Sequence, residues 1–99
     1  MNMEIINDIA AKKILVVANH GFDGTAHVRG VIEIELFREV VSALTAQGVF
    51  VTIENVFLAC DKGTKTHEVL YRKGMMSKDQ MERANAVVYR FLELALENL

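Results

Sequence analysis

This chain lacks proline, pairs of cysteines and long hydrophobic runs. No linker-like or low-complexity segment interrupts its 99 residues, which predicts a single domain over 1–99. Its lone cysteine, Cys60, excludes an intrachain disulfide and is typical of a reducing compartment, so we predict a cytoplasmic protein. No segment has the length of a membrane-spanning helix, and the first residues lack the pattern of a signal peptide. We therefore expect no membrane association.

The chain also lacks any run of lysine or arginine. Its 11 basic and 13 acidic residues are interspersed and give a net charge of −2, which argues against a nucleic-acid-binding surface. The hydrophobic fraction of 52% and the charged fraction of 24% exclude a disordered chain. A small molecule or a protein partner is the expected binding target.

An apolar, β-branched run ends in a glycine-containing turn near the start of the chain. Residues 12–18 predict a buried strand, and the loop 19–29 that follows carries His20 next to Gly21. Ligands of α/β sheets bind at the carboxyl ends of strands, so this loop is the candidate binding segment. The alternative is that Asn19, His20 and Gly21 form a polar turn with a structural role only.

The next segment allows two interpretations. Residues 28–36 alternate as a strand would, whereas from Ile34 onward the apolar residues recur at helical spacing. We favour a helix over 32–47, because Gly48 stands where helices commonly end. In that helix Glu33 faces the core side and needs a partner, whereas in a strand it would face solvent.

The second half of the chain predicts a β-hairpin followed by a helix. Strands at 49–60 and 66–71 would be joined by a turn at 61–64, which would bring Cys60 and His67 close together. Ser77 and Gln80 match a capping box that begins a C-terminal helix. The order β-α-β-β-α predicts an α+β fold, with a small mixed sheet and two helices packed on one face.

The C-terminal helix is apolar over more than half of its circumference, which is more than one sheet would cover. Either the other helix covers the surplus within the monomer, or a second copy of the chain does. We predict a homo-oligomer that forms through this helix. On that interpretation Phe91→Asp or Leu94→Asp should break a dimer.

Four side chains form the candidate ligand-binding set, namely His20, Asp23, His27 and Glu33. Such side chains bind zinc, so His20 and Glu33 are candidate metal ligands and zinc is the candidate cofactor, although no established zinc spacing is present. The first functional hypothesis is a small, homo-oligomeric cytoplasmic module that binds a ligand or a protein through loop 19–29. The alternative is a small metal-dependent hydrolase that uses His20, Asp23 and Glu33.

Overall fold

The fold is built from helices. The computed structural model describes residues 3–22 and 30–99, and within those ranges it contains four α-helices and no strand. The helices are α1 (Met3–Val17), α2 (Glu33–Ala46), α3 (Ile53–Arg72) and α4 (Lys78–Asn98), and α1 continues into a π-helical segment at Ala18–Phe22. The predicted α+β fold with a small mixed sheet is therefore wrong, and the helices pack as a bundle.

The predicted first strand, residues 12–18, belongs to α1 and the start of the π-helical segment. The buried residues of this region recur at helical spacing: Ala10, Ala11, Ile14 and Ala18. Val16 lies on the other side and is 57% exposed. The β-branched residues lower helix stability only slightly, whereas burying a helical stripe stabilises the fold by more, so packing overrides the strand propensity.

The predicted helix over 32–47 is confirmed as α2. Gly48 follows it with a φ of 80°, a left-handed conformation that glycine adopts without steric cost. The amide of Val49 donates to the carbonyl oxygen of Leu44 at 2.9 Å and so satisfies one free carbonyl of the last turn. The strand alternative is wrong for residues 33–36, which form the first turn of α2.

The predicted hairpin is one continuous helix, α3. It begins after Thr52, whose Oγ1 accepts a hydrogen bond from the amide of Asn55 at 3.1 Å. It then passes through the predicted turn at 61–64. A glycine inside a helix costs about 1 kcal/mol relative to alanine. Gly63 is nevertheless suited to its position, because a Cβ there would lie 2.6 Å from Cδ1 of Leu15 on α1.

The start of α4 is as predicted. The amide of Ser77 donates to Oε1 of Gln80 at 2.8 Å, and the amide of Gln80 donates to Oγ of Ser77 at 3.1 Å. A short connection at 73–77 makes α3 and α4 an antiparallel pair, while α1 packs on α3 and the π-helical segment packs on α4. Across the described helices, none combines the length and apolarity needed to span a bilayer.

The inner face of α4 belongs to the core of the monomer. The ring of Phe91 lies edge-on to Phe22 with centroids 5.5 Å apart, and its centroid is 5.1 Å from that of Phe37. Phe91 is 1% exposed and Leu94 is 3% exposed. A charge at Phe91 or Leu94 would therefore lie in this core and destabilise the monomer, so the predicted effect of Phe91→Asp or Leu94→Asp on a dimer would not identify an interface. The homo-oligomer itself stays a prediction.

Candidate functional site

Of the four predicted site residues, Glu33 alone has a described side chain. It is the first residue of α2, and its carboxylate accepts hydrogen bonds from Nε and Nη2 of Arg90 at 2.9 and 2.5 Å. Arg90 also donates to Glu93 at 2.9 Å. The hydrogen bonds to Glu33 and then to Glu93 raise the pKa of the Arg90 guanidinium. Glu33 thus has the partner that the sequence required, and that partner is an arginine on α4.

The backbone of His20 lies in the π-helical segment, but its side chain is outside the described part of the chain, as are Asp23 and His27. Their role in ligand binding stays a prediction. Among the described residues, no group of three or more His, Cys, Asp or Glu side chains could hold a metal ion. Asn19, which precedes His20 and belongs to the predicted binding segment, is described and lines a groove.

This groove has a volume of about 530 Å³ and lies between the end of α1, the second half of α3 and the first half of α4. Apolar side chains form most of its surface. The apolar lining residues are Leu15, Leu70, Met76, Ala84 and Val87, and the polar ones are Asn19, Thr66, His67, Gln80 and Arg83. Small-molecule sites commonly combine a largely apolar lining with a few polar groups in this way.

His67 is the buried polar group of the groove. The residue is 6% exposed, and its Nδ1 lies 2.7 Å from Oδ1 of Asn85 on α4. An amide oxygen can only accept, so Nδ1 donates the hydrogen bond, and Nε2 is left for a second partner. Without this bond the buried imidazole would lose hydration and gain no partner. Asn85 therefore fixes the orientation of the ring and also joins α3 to α4.

Cys60 does not form a catalytic pair with His67. The predicted hairpin would have brought the two side chains together, but both lie on α3, about 10 Å apart along the helix axis. Burial, and then the charge of Asp61, raise the pKa of the Cys60 thiol. A raised pKa keeps the thiol protonated, whereas a catalytic cysteine needs the thiolate.

Arg83 carries the positive charge of the groove. Its Nε lies 3.0 Å from Oδ2 of Asp79, and the two side chains are 80% and 68% exposed. Such exposed pairs contribute little to stability, so Arg83 can exchange Asp79 for an anionic group of a ligand at low cost. Gln80 is already bound to Ser77 through its side-chain oxygen and contributes mainly to the lining.

The sequence contains a signal for His67 that the hairpin interpretation missed. The buried residues of α3 recur at steps of one, three and four: Asn55, Val56, Ala59, Cys60, Gly63 and His67. Continued through Gly63, this pattern would have placed His67 on the inner face of one helix. The conventional interpretation of glycine as a turn residue concealed it.

Comparisons with protein-family models, with curated proteins and with solved structures find no match for this chain. The site is therefore interpreted from its own geometry and chemistry.

Proposed function

We propose that this protein is a binding module that holds a small amphipathic anion in the groove between α1, α3 and α4. One observation carries the proposal: a groove whose surface is mostly apolar contains a buried, oriented histidine and an exchangeable arginine. The apolar body of the ligand would cover Leu70 and Val87. Its anionic group would replace Asp79 at Arg83, and a hydroxyl or amide group could donate to Nε2 of His67.

The proposal retains part of the sequence interpretation. Asn19 belongs to the predicted binding segment 19–29, and it lines the groove. A cytoplasmic location remains part of the proposal, supported by the single cysteine. The metal-dependent hydrolase is not carried further, because Arg90 already binds the Glu33 carboxylate that this hypothesis assigned to a metal.

Decanoate and decanol are suitable probes, because they share an alkyl chain and differ in charge. We expect both to shift the amide NMR signals of Asn19, Thr66 and His67 in a titration of the full chain. Arg83→Gln should weaken decanoate binding about fivefold, which corresponds to the roughly 1 kcal/mol of an exposed charge pair. The same substitution should leave decanol binding unchanged.

Arg72→Gln is the matched control. Arg72 is a similarly exposed arginine that pairs with Glu68 on α3 and does not line the groove. It should bind both probes like the wild type. Thr66→Trp places a large ring at an exposed position of the groove wall and should weaken both probes at least tenfold with the helical circular dichroism retained. Amide shifts confined to residues outside the groove, or equal effects of Arg83→Gln and Arg72→Gln, would refute the proposal.

A further inference from the structure

We infer that the protein forms a symmetric homodimer through the outer face of the α3–α4 pair. This face, here termed the hairpin face, consists of large exposed apolar side chains from both helices: Phe57 on α3, and Tyr89, Leu96 and Leu99 from α4 to the end of the chain. It is separate from the ligand groove. The occupant is a second copy of this chain.

The register of α3 against α4 places these residues together. His67 contacts Asn85, and a Cβ at Gly63 would lie 3.6 Å from Cγ2 of Val88, so positions decrease along α3 as they increase along α4. Continued toward the start of α3, this register brings Phe57 level with Leu94 and Ala95, next to Leu96. Phe57 on α3 and the apolar residues near the end of α4 therefore lie at the same level of the helix pair.

Helical periodicity shows which side of each helix carries the face. On α4, Tyr89, Leu96 and Leu99 follow Asn85 by 4, 11 and 14 residues, spacings that return to about the same side of a helix, so they form one stripe that begins at the contact with α3. On α3, Phe57 lies about 180° around the helix from Thr66, at 100° per residue. Because Thr66 lines the groove shared with α1, Phe57 faces away from α1.

The side chains of this face remain open to solvent although the opposite side of α4 is buried. Phe57 is 49% exposed, Tyr89 50%, Leu96 55% and Leu99 47%. The stripe from Tyr89 to Leu99 has no charged residue at its own positions, and the nearby charges of Arg90 and Glu93 pair with each other. Burying the stripe therefore leaves no unpaired charge within it, which is the condition for a dry interface.

The exposed apolar area of the hairpin face is about four fifths of the apolar area that a standard homodimer interface buries on each partner. A large aromatic side chain buries about 150–250 Å² when fully covered, so a half-exposed one retains about 100 Å². Four half-exposed large side chains then provide roughly 400 Å² per protomer. A standard interface buries about 800 Å² on each partner, and in homodimers about 65% of that is apolar, or roughly 500 Å². Two copies related by a two-fold axis would pack their hairpin faces together, so that α3 and α4 of each copy form a four-helix interface.

Light scattering coupled to size-exclusion chromatography of the full chain tests this inference. The wild type should have twice the chain mass of 11.1 kDa. Leu96→Glu and Tyr89→Glu should each raise the dimer dissociation constant at least a hundredfold and yield monomers. Because both positions are about half exposed, far-UV circular dichroism should show an intact helical fold in the monomers.

Val69→Glu is the matched control, since Val69 is a 47% exposed apolar residue of α3 outside the hairpin face. It should remain dimeric. A monomeric wild type would overturn the inference and would leave a different protein as the partner of this face. Dimeric Leu96→Glu and Tyr89→Glu variants, or a monomeric Val69→Glu, would show that the face is wrongly assigned. Neither result would affect the titration of the groove.

Discussion

Replacing Phe91 by alanine decides whether the inner face of α4 is core or interface. The sequence alone allowed both, and the structure places Phe91 in the core at 1% exposure, in contact with the rings of Phe22 and Phe37. If the ring belongs to the core, its removal must destabilise each protomer. If it belonged to an interface, its removal would act through association only.

The expected loss follows from the contacts of the ring. Truncation of a buried phenylalanine to alanine costs about 3–5 kcal/mol, which combines lost transfer free energy with the cavity left behind. Each aromatic contact contributes about 0.5–1.5 kcal/mol beyond its buried area, and Phe91 makes two, which places the expected loss at about 4 kcal/mol or more. Domains of this size have unfolding free energies of about 5–15 kcal/mol. Phe91→Ala should therefore remove about a quarter of the total or more.

Urea denaturation followed by far-UV circular dichroism, at two well-separated protein concentrations, measures this loss. We expect the same loss at both concentrations. The exposed Val69→Ala serves as the control and should change the unfolding free energy by no more than about 0.5 kcal/mol. A loss below about 1 kcal/mol for Phe91→Ala, or a loss that depends on protein concentration, would refute the assignment of Phe91 to the core.

Two further substitutions test contacts between α1 and α3. Gly63→Ala should not give the stabilisation of roughly 1 kcal/mol that alanine normally adds to a helix, because the new Cβ displaces Leu15. In a double-mutant cycle, Gly63→Ala should give that stabilisation when Leu15→Ala has removed the clash. Additive effects of the two substitutions would contradict this contact. Hydrogen bonds from Lys62 and then Lys12 lower the pKa of the Asp8 carboxyl in the folded protein below its ordinary value. The ionised carboxylate therefore stabilises the fold at pH values above the pKa of Asp8 in the unfolded chain. This stabilisation is lost as the pH falls through the pKa of Asp8 in the folded protein. In urea denaturation, Asp8→Asn should therefore have a lower free energy of unfolding than the wild type at neutral pH, and the two free energies should converge in acid. A difference that does not change with pH would contradict this role of Asp8.

Local signals in the sequence predicted the end of α2 and the start of α4. The capping box of Ser77 and Gln80 and the glycine after α2 both act within a few residues, so neighbouring side chains suffice to identify them. The candidate site was predicted less well. Asn19 lies in the segment that the sequence singled out. His67 was assigned to a hairpin, because Gly63 was interpreted as a turn residue and the helical pattern that continues through it was missed.

The sequence by itself determined the glycine end of α2 and the capped start of α4, and that the last helix carries more apolar surface than one neighbour can cover. Only the tertiary structure decided the state of residues 12–18 and 53–72. Their helix and strand propensities differ by about 1 kcal/mol or less per residue, whereas burying a large apolar side chain contributes about 1.5–3 kcal/mol. The packing of Leu15 against Gly63 is available only when both segments are helices, and it therefore overrides the local preference for strands and a turn.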